Sequence, residues 1–413
     1  MKRDIIIIGG GIIGLTTAYF LQKAGRKVTV IDERDITNST SFGNAGLLSS
    51  FDKTPLSYPG VVLNTLRLML KGESPAIIHP TFDLKIYKWL INFILNANEK
   101  RTKKTMMLFE KYGEISLKLY EKMINDDNLD FDYHRNGMLS VFTEEKTYRE
   151  KLQKYNYVDN DRFKILNKDE ISEYLPSATS KVQGAILFKK NAHFDSKRVM
   201  LELKRHLEES GVEFILNEKI ENIKIENKEI KNISSSKHTY EAEHFIMSTG
   251  YQTLLASKCN KELLMTPAKG YSITFNMPQE FIPKTSTIFN DLFIVMTPRR
   301  ENVRFTSKLE IGSTDTNVVM KQIESIKKNF FLYNKEFEMK NEEYWCGFRP
   351  LTPNDIPLIG RDDEIKNLTY GMGLGWLGMT FAPAVGAILT DLVVNDKKNA
   401  HSDDILMFSG FYQ

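Results

Sequence analysis

Three glycine-rich stretches and one arginine carry the residue types and spacings that could do chemistry. Gly9-Gly10-Gly11-Ile12-Ile13-Gly14 reads G-x-G-x-x-G, and Asp32 stands eighteen residues after Gly14, with Glu33 beside it. Glycines at Gly9, Gly11 and Gly14 would let backbone approach a pyrophosphate. The helix they open would offer unpaired N–H groups, and the Asp32 carboxylate would accept ribose hydroxyls. The acidic pair Asp32-Glu33 argues against a 2′-phosphate. A second stretch, Thr40-Ser41-Phe42-Gly43-Asn44-Ala45-Gly46-Leu47, combines hydroxyls for a pyrophosphate with a glycine against which a flat ring could lie. Taken alone it reads equally as a solvent loop.

The third stretch, Gly371-Met372-Gly373-Leu374-Gly375-Trp376-Leu377-Gly378, runs directly into a helix from Met379. Glycines at a helix start make a donor-rich, positively polarised end, suited to the pyrimidine edge of a flavin, which becomes anionic on reduction. One long extended cofactor explains nucleotide-type loops at both ends of the chain more economically than two cofactors. The motifs therefore point to FAD over NAD or NADP. The arginine is Arg349, whose guanidinium offers a two-pronged, permanently charged clamp for a carboxylate; the competing reading is a structural ion pair in a sheet. No metal site is expected, because the histidines are scattered and Cys259 and Cys346 are the only cysteines.

Elements must position these residues. Residues 4–8, 9–14, 15–24 and 27–32 read as strand, glycine turn, helix and strand, a βαβ start whose continuous apolar strand suits burial on both faces. Residues 60–126 turn helical, with apolar side chains at mixed three-to-four spacings. Further strands are expected at 137–142, 184–188, 212–216 and 244–248, the last ending at Thr249-Gly250, and a helix at 196–210. Half-exposed hairpins are expected over 219–242 and β-structure over 266–312. Residues 368–394 read as strand, glycine loop and long apolar helix.

Dinucleotide-type segments thus occur at both ends and in the middle. The expected fold class is α/β with two domains, a Rossmann-type FAD-binding domain interleaved with an antiparallel-sheet substrate domain. The division assigns 1–80, 160–258 and 345–413 to the cofactor, and 81–159 and 259–344 to the substrate. The 413 residues, at ~150 per domain, exclude a single small module. With 56 basic and 53 acidic residues, the balance speaks against a nucleic-acid surface. Two isolated thiols fit a reducing compartment, and no window approaches a membrane span. The chain is expected to be cytoplasmic or peripheral on the inner membrane. Residues 85–95, KIYKWLINFIL, fit either an amphipathic membrane contact or, as the preferred reading, core packing of a substrate-domain helix.

Gly347-Phe348-Arg349-Pro350-Leu351-Thr352-Pro353-Asn354-Asp355-Ile356-Pro357-Leu358-Ile359-Gly360, together with the flanking loops, Lys269-Gly270-Tyr271-Ser272 and residues 374–382, resembles the D-amino-acid oxidase superfamily of flavoproteins. The closer resemblance, nearly end to end, is to the bacterial D-amino acid dehydrogenase small-subunit family. It implies FAD contacts at Ile12, Ile13, Asp32, Glu33, Thr40, Ser41, Gly46, Leu47, Leu48, the backbone of Ile220, and Leu374, Gly375, Trp376, Leu377, Gly378, Met379 and Thr380. Gly250 and Gly373 complete the cofactor set. The resemblance also implies that Arg349 binds the substrate carboxylate. Related oxidases add a tyrosine from a strand matching 292–299; that stretch has none here, and Tyr271 is the substitute. The family's frequent Gly-His-Gly is Gly373-Leu374-Gly375. Some sarcosine oxidases attach flavin through a cysteine that falls here at Gly347, one place from Cys346, so non-covalent FAD is expected. His193 is expected to make a domain-junction hydrogen bond.

The implied activity is FAD-dependent oxidative deamination of small neutral D-amino acids, D-alanine or D-proline, to 2-oxo or imino acids. Electrons would pass to a quinone or other respiratory-chain acceptor. Positioning is most of that task, and no residue is assigned to proton abstraction. The alternatives are a glycine, sarcosine or D-hydroxyproline oxidoreductase, and a non-catalytic flavin-holding subunit of a larger complex.

Overall fold

The structure, a computed structural model, describes residues 3–51, 53–63, 65, 74, 76–155, 160–313 and 315–394. Arg3–Ile8 is the centre of a six-stranded sheet, with Val28–Ile31 and Glu213–Ile215 on one side and Ala242–Met247, Leu368–Met372 and Leu358–Arg361 on the other. Every pairing is parallel except the edge strand Leu358–Arg361. The apolar run of the first strand needs two cores, and it has them. Ile5 and Ile7 pack with the helices Ile12–Lys23, Ser196–Glu209 and Gly378–Val394. Ile6 and Ile8 face the opposite way, toward Ile220 and the three-stranded antiparallel sheet formed by Asn222–Glu226, Glu229–Ser234 and Thr239–Tyr240.

The second layer is a nine-stranded sheet whose backbone order is Lys340–Leu351, Thr266–Asn276, Val303–Ile311, Ile294–Pro298, Ser286–Phe289, Met138–Phe142, Gly184–Phe188 and Phe163–Leu166, with Ala76–Ile78 beside Val303–Ile311. The α/β class with interleaved parallel and antiparallel parts is as the sequence led us to expect. The membership of several segments is not. Phe163–Leu166, Gly184–Phe188 and Lys340–Leu351 join the large sheet, while the long helix Glu99–Asp127 packs Leu108, Phe109, Tyr112 and Tyr120 into the core of the parallel sheet. A short apolar strand or an amphipathic helix declares that it has a buried face, not which layer buries it. The helix Leu84–Asn96 packs one face on the large sheet, as preferred, with Trp89 buried and Ile86, Leu90 and Phe93 beside it against Ala268, Ile311 and Leu351, while its other face stays exposed.

The helix Gly378–Val394 contains Pro383, which removes the N–H that would bond the carbonyl of Met379. The buried hydroxyl of Tyr120 donates to that carbonyl at 2.8 Å. Nearby, Thr16 Oγ1 donates to the Ala382 carbonyl at 2.9 Å, and a Cβ on Gly386 would sit 2.8 Å from the backbone carbon of Thr16. The two helices therefore touch backbone to backbone. Tyr120→Phe should leave a buried acceptor unsatisfied and lower unfolding free energy by about 1–3 kcal/mol. The check is a urea titration of both proteins.

Candidate active site

A cavity of about 780 Å³ opens between the parallel sheet and the large sheet. Of the expected residues, Gly11, Ile12, Ile13, Thr40, Ser41, Leu47, Gly250, Tyr271, Arg349, Gly373, Leu374, Gly375, Trp376, Leu377, Gly378 and Met379 line it. Gly9, Gly14, Asp32, Glu33, Gly46, Leu48, Ile220 and Thr380 are not part of the lining.

The glycines divide into two kinds. A Cβ on Gly14 would collide with the carbonyl oxygen of Gly9, and one on Gly9, at φ 111°, would lie 2.7 Å from the carbonyl carbon of Ser248. These two let strand and helix pack closely. Gly11 is different, since its added Cβ would meet nothing nearer than Ser41 Oγ at 3.5 Å. The protein alone does not require glycine there, whereas a ligand lying on the helix start does. That helix has no acidic residue in its first turn and no capping side chain at Gly11; the N–H of Ile12 donates instead to Ser41 Oγ at 3.1 Å. Asp32 Oδ2 accepts the N–H of Gly10 at 2.6 Å and Oδ1 that of Arg34 at 2.8 Å, so the carboxylate anchors the glycine turn itself. Glu33 accepts from Gln252 Nε2 at 2.6 Å.

The second helix start faces the same cavity. Gly373 and Gly375 have φ of 73° and 54°, where side chains are strained, and no acid lies in the first turn of Gly378–Val394. Two helix N-termini free of acidic residues, beside glycine backbone, match a cofactor with a pyrophosphate and an anionic ring edge. The residues present fit FAD. Gly375 N–H donates to the Pro350 carbonyl at 2.9 Å, and Leu351 bridges to Leu374, lashing this loop to the strand that bears Arg349. Thr380 Oγ1 accepts the N–H of Ser49 at 3.3 Å, tying the helix start to the Leu47–Leu48 strand.

Arg349 lies on Lys340–Leu351, opposite Ala268. Its Nη1 donates to the carbonyl of Lys308 at 2.9 Å, and among the described residues no carboxylate pairs with it. Burial alone pushes its pKa down to about 10, still cationic at neutral pH. The ion-pair reading therefore finds no partner among the described residues. Two features that the sequence reading missed hold the guanidinium. A Cβ on Gly270 would sit 2.6 Å from Arg349 Cζ, so glycine vacates the space the side chain fills. Lys308, at φ 67°, lies in a β-bulge where the register jumps from Lys269↔Glu310 to Tyr271↔Ser307, and its carbonyl accepts from the arginine. Glycine in a strand was the available signal for the first; nothing in the sequence marked the bulge.

Tyr271 reaches the wall but does not complete the clamp. Its hydroxyl donates to Glu310 Oε1 at 3.0 Å, and Glu310 Oε2 lies 3.1 Å from His79 Nε2. Burial is the main cause raising the Tyr271 pKa. Of the stretch 292–299, Phe293 and Val295 line the wall. Cys346 lies outside the lining, with Sγ 3.2 Å from the Thr316 carbonyl. Among the described residues no cluster of His, Cys, Asp and Glu could hold a metal.

His193 pairs by backbone with His134 at 2.8 and 2.9 Å, while its ring stacks on that of His134 at 5.1 Å. Burial lowers its pKa to about 3. An unfolded chain protonates histidine near 6.5, so below that pH the unfolded state binds a proton that the folded state refuses. The stability is present above pH 6.5 and lost as pH falls toward 3, amounting to about 2 kcal/mol at pH 5. His193→Gln should flatten that loss, measured as urea midpoints at pH 7.5 and pH 5.

The chain matches the family described as DAO, FAD dependent oxidoreductase, over residues 4–392. It belongs to that family. It is 46% identical to the D-amino acid dehydrogenase of Helicobacter pylori (strain J99 / ATCC 700824), covering 100% of both chains, and 26% identical to that of Vibrio atlanticus (strain LGP32), covering 97% and 98%. The fold is similar to that of glycine oxidase from Bacillus cereus ATCC 14579, with a TM-score of 0.74 at 21% identity over 98% of each.

Proposed function

We propose that this flavoprotein oxidises small neutral D-amino acids, D-alanine or D-proline, holding FAD non-covalently and passing electrons to a quinone-type acceptor. The observation that carries the reading is Arg349, a half-buried cation on the cavity wall with no carboxylate partner among the described residues. A substrate carboxylate supplies the missing charge. The names of the full-length relatives favour the D-isomer. Bound FAD would supply the acceptor for two electrons and the α-hydrogen. The chain supplies geometry: Arg349 anchors the acid group, Gly270 leaves it room, and the starts of Ile12–Lys23 and Gly378–Val394 favour negative charge. The amine reacts in its neutral form and needs no protein base. The position of Cys346 outside the lining supports a non-covalent cofactor.

The test is anaerobic titration of the purified yellow chain, without any partner, against D- and L-amino acids. Bleaching by D-alanine or D-proline is expected, followed by dichlorophenolindophenol reduction. Bleaching by L-isomers alone would overturn the D assignment, and peroxide formation in air in place of quinone reduction would overturn the acceptor.

A further inference from the structure

We propose that Arg304, buried behind the Thr40–Leu47 loop, is the positioning residue that turns this loop toward FAD and supplies a positive charge for the cofactor's pyrophosphate. Arg304 stands on Val303–Ile311 and is 4% exposed. Its Nη1 donates to the carbonyls of Phe42 at 2.8 Å and Asn44 at 3.1 Å, and to Ser196 Oγ at 3.0 Å. Its Nε donates to Thr274 Oγ1 at 3.0 Å. One guanidinium therefore ties the loop both to the large sheet and to the start of the helix Ser196–Glu209. The Gly46 carbonyl is turned inward as well, accepting the N–H of Phe194 at 3.0 Å. With the carbonyls of Phe42, Asn44 and Gly46 drawn into the protein, Thr40, Ser41, Gly43 and Ala45 line the cavity. Three backbone acceptors that would repel a phosphate are thereby kept off the cofactor's side.

Holding two carbonyls calls for donors, not for a charge, and a buried charge is costly. All four hydrogen bonds of Arg304 go to neutral groups, and among the described residues no carboxylate forms an ion pair with it. Asp195 is paired with the neighbouring Arg299, and Glu343, whose charge Arg304 also feels, is exposed. Two buried arginines thus share one buried aspartate. Burial, followed by the charge of Arg299, pushes the Arg304 pKa down to about 9, which leaves it cationic at neutral pH. The surplus charge is unanswered among the described residues, and a pyrophosphate answers it. The loop also leads to the place where a pyrophosphate fits. Ser41, next to Phe42, accepts the N–H of Ile12 at 3.1 Å, at the start of the helix Ile12–Lys23. Arg304 is not part of the lining, so it acts through the loop and through its field rather than by contact. The role depends on FAD alone and not on which amino acid is oxidised.

Full-length parent, Arg304→Gln and Arg304→Lys are purified as holoenzymes, and the FAD dissociation constant is read from the flavin fluorescence released on dilution. Glutamine keeps a donor for the loop carbonyls and loses the charge; lysine keeps the charge and loses the fork. A unit charge across one layer of backbone, in a medium of effective dielectric ~20, changes an anion's binding about tenfold. Arg304→Gln is therefore expected to bind FAD about tenfold more weakly, and Arg304→Lys within about threefold of the parent. The FAD-free glutamine variant should melt no lower than the FAD-free parent, since discharging an unpaired cation offsets the lost hydrogen bonds. Parent-like affinity in Arg304→Gln overturns the proposal. So does equal weakening in both variants, or weakening that comes with a lower melting temperature of the FAD-free glutamine variant, each of which marks a purely structural arginine. If glutamine prevents folding, Arg304→Lys decides alone: retained affinity upholds the charge, and a loss of about tenfold overturns it. No substrate enters these measurements, so their outcome leaves the amino acid reading as it stands.

Discussion

Arg349→Leu should lower kcat/KM for the amino acid about a thousandfold, ~4 kcal/mol of transition-state binding, with FAD content unchanged. Among the described residues the guanidinium has one hydrogen-bond partner, the Lys308 carbonyl, and no carboxylate neutralises it. Leucine removes a half-buried, unpaired charge that the empty protein carries at its own expense in stability. The melting temperature of the variant should therefore hold or rise, which a structural ion pair would forbid, since breaking one strands its partner. Arg349→Lys keeps the charge but loses the fork, and should fall between the two. Amides of the same amino acids should discriminate poorly between parent and leucine variant. Steady-state dye reduction and thermal melts of the three proteins provide the check; full turnover in the leucine variant would remove the clamp from the mechanism.

Gly270→Ala should cost about a hundredfold in kcat/KM while leaving FAD bound, because a reacting group moved by ~1 Å loses about that much. The new methyl would occupy the space of Arg349 Cζ, and the movable side chain must yield. The bulge carbonyl of Lys308 then no longer meets Nη1. The decisive comparison is the double variant. If Gly270 acts only through Arg349, Gly270→Ala/Arg349→Leu is no slower than Arg349→Leu alone. Additive losses would show that the glycine serves something else.

How far the sequence could be read differs by the kind of constraint. The glycine loops were legible because Gly9, Gly14 and Gly373 are required by backbone geometry, which leaves its mark on residue type. Arg349 was legible as a cation worth following because few side chains offer a two-pronged clamp, and the structure sets it on the cavity wall. Asp32 was read as the acceptor of ribose hydroxyls, and no residue pattern marked that its two oxygens also accept the backbone N–H groups of Gly10 and Arg34. Tyr271 was misjudged because the sequence shows a hydroxyl and not its neighbour; Glu310 is thirty-nine residues away and meets it across the strand pair. The Lys308 bulge was invisible, since lysine carries no preference for a positive φ. For Leu84–Asn96 the apolar count was right, and only three dimensions separate a packed stripe from an exposed one.

The backbone lash between Pro350 and Gly375 has a practical corollary. The span from Arg349 to the Gly373-Leu374-Gly375 loop is set by two neighbouring contacts, Pro350 with Gly375 and Leu351 with Leu374, rather than by the residues in between. Those intervening residues form a closed excursion whose far turn, at Asp363 and Glu364, is exposed. A fluorophore or grafted peptide inserted there would ride outside the ruler, giving a handle for immobilising the enzyme on an electrode with its chemistry in register.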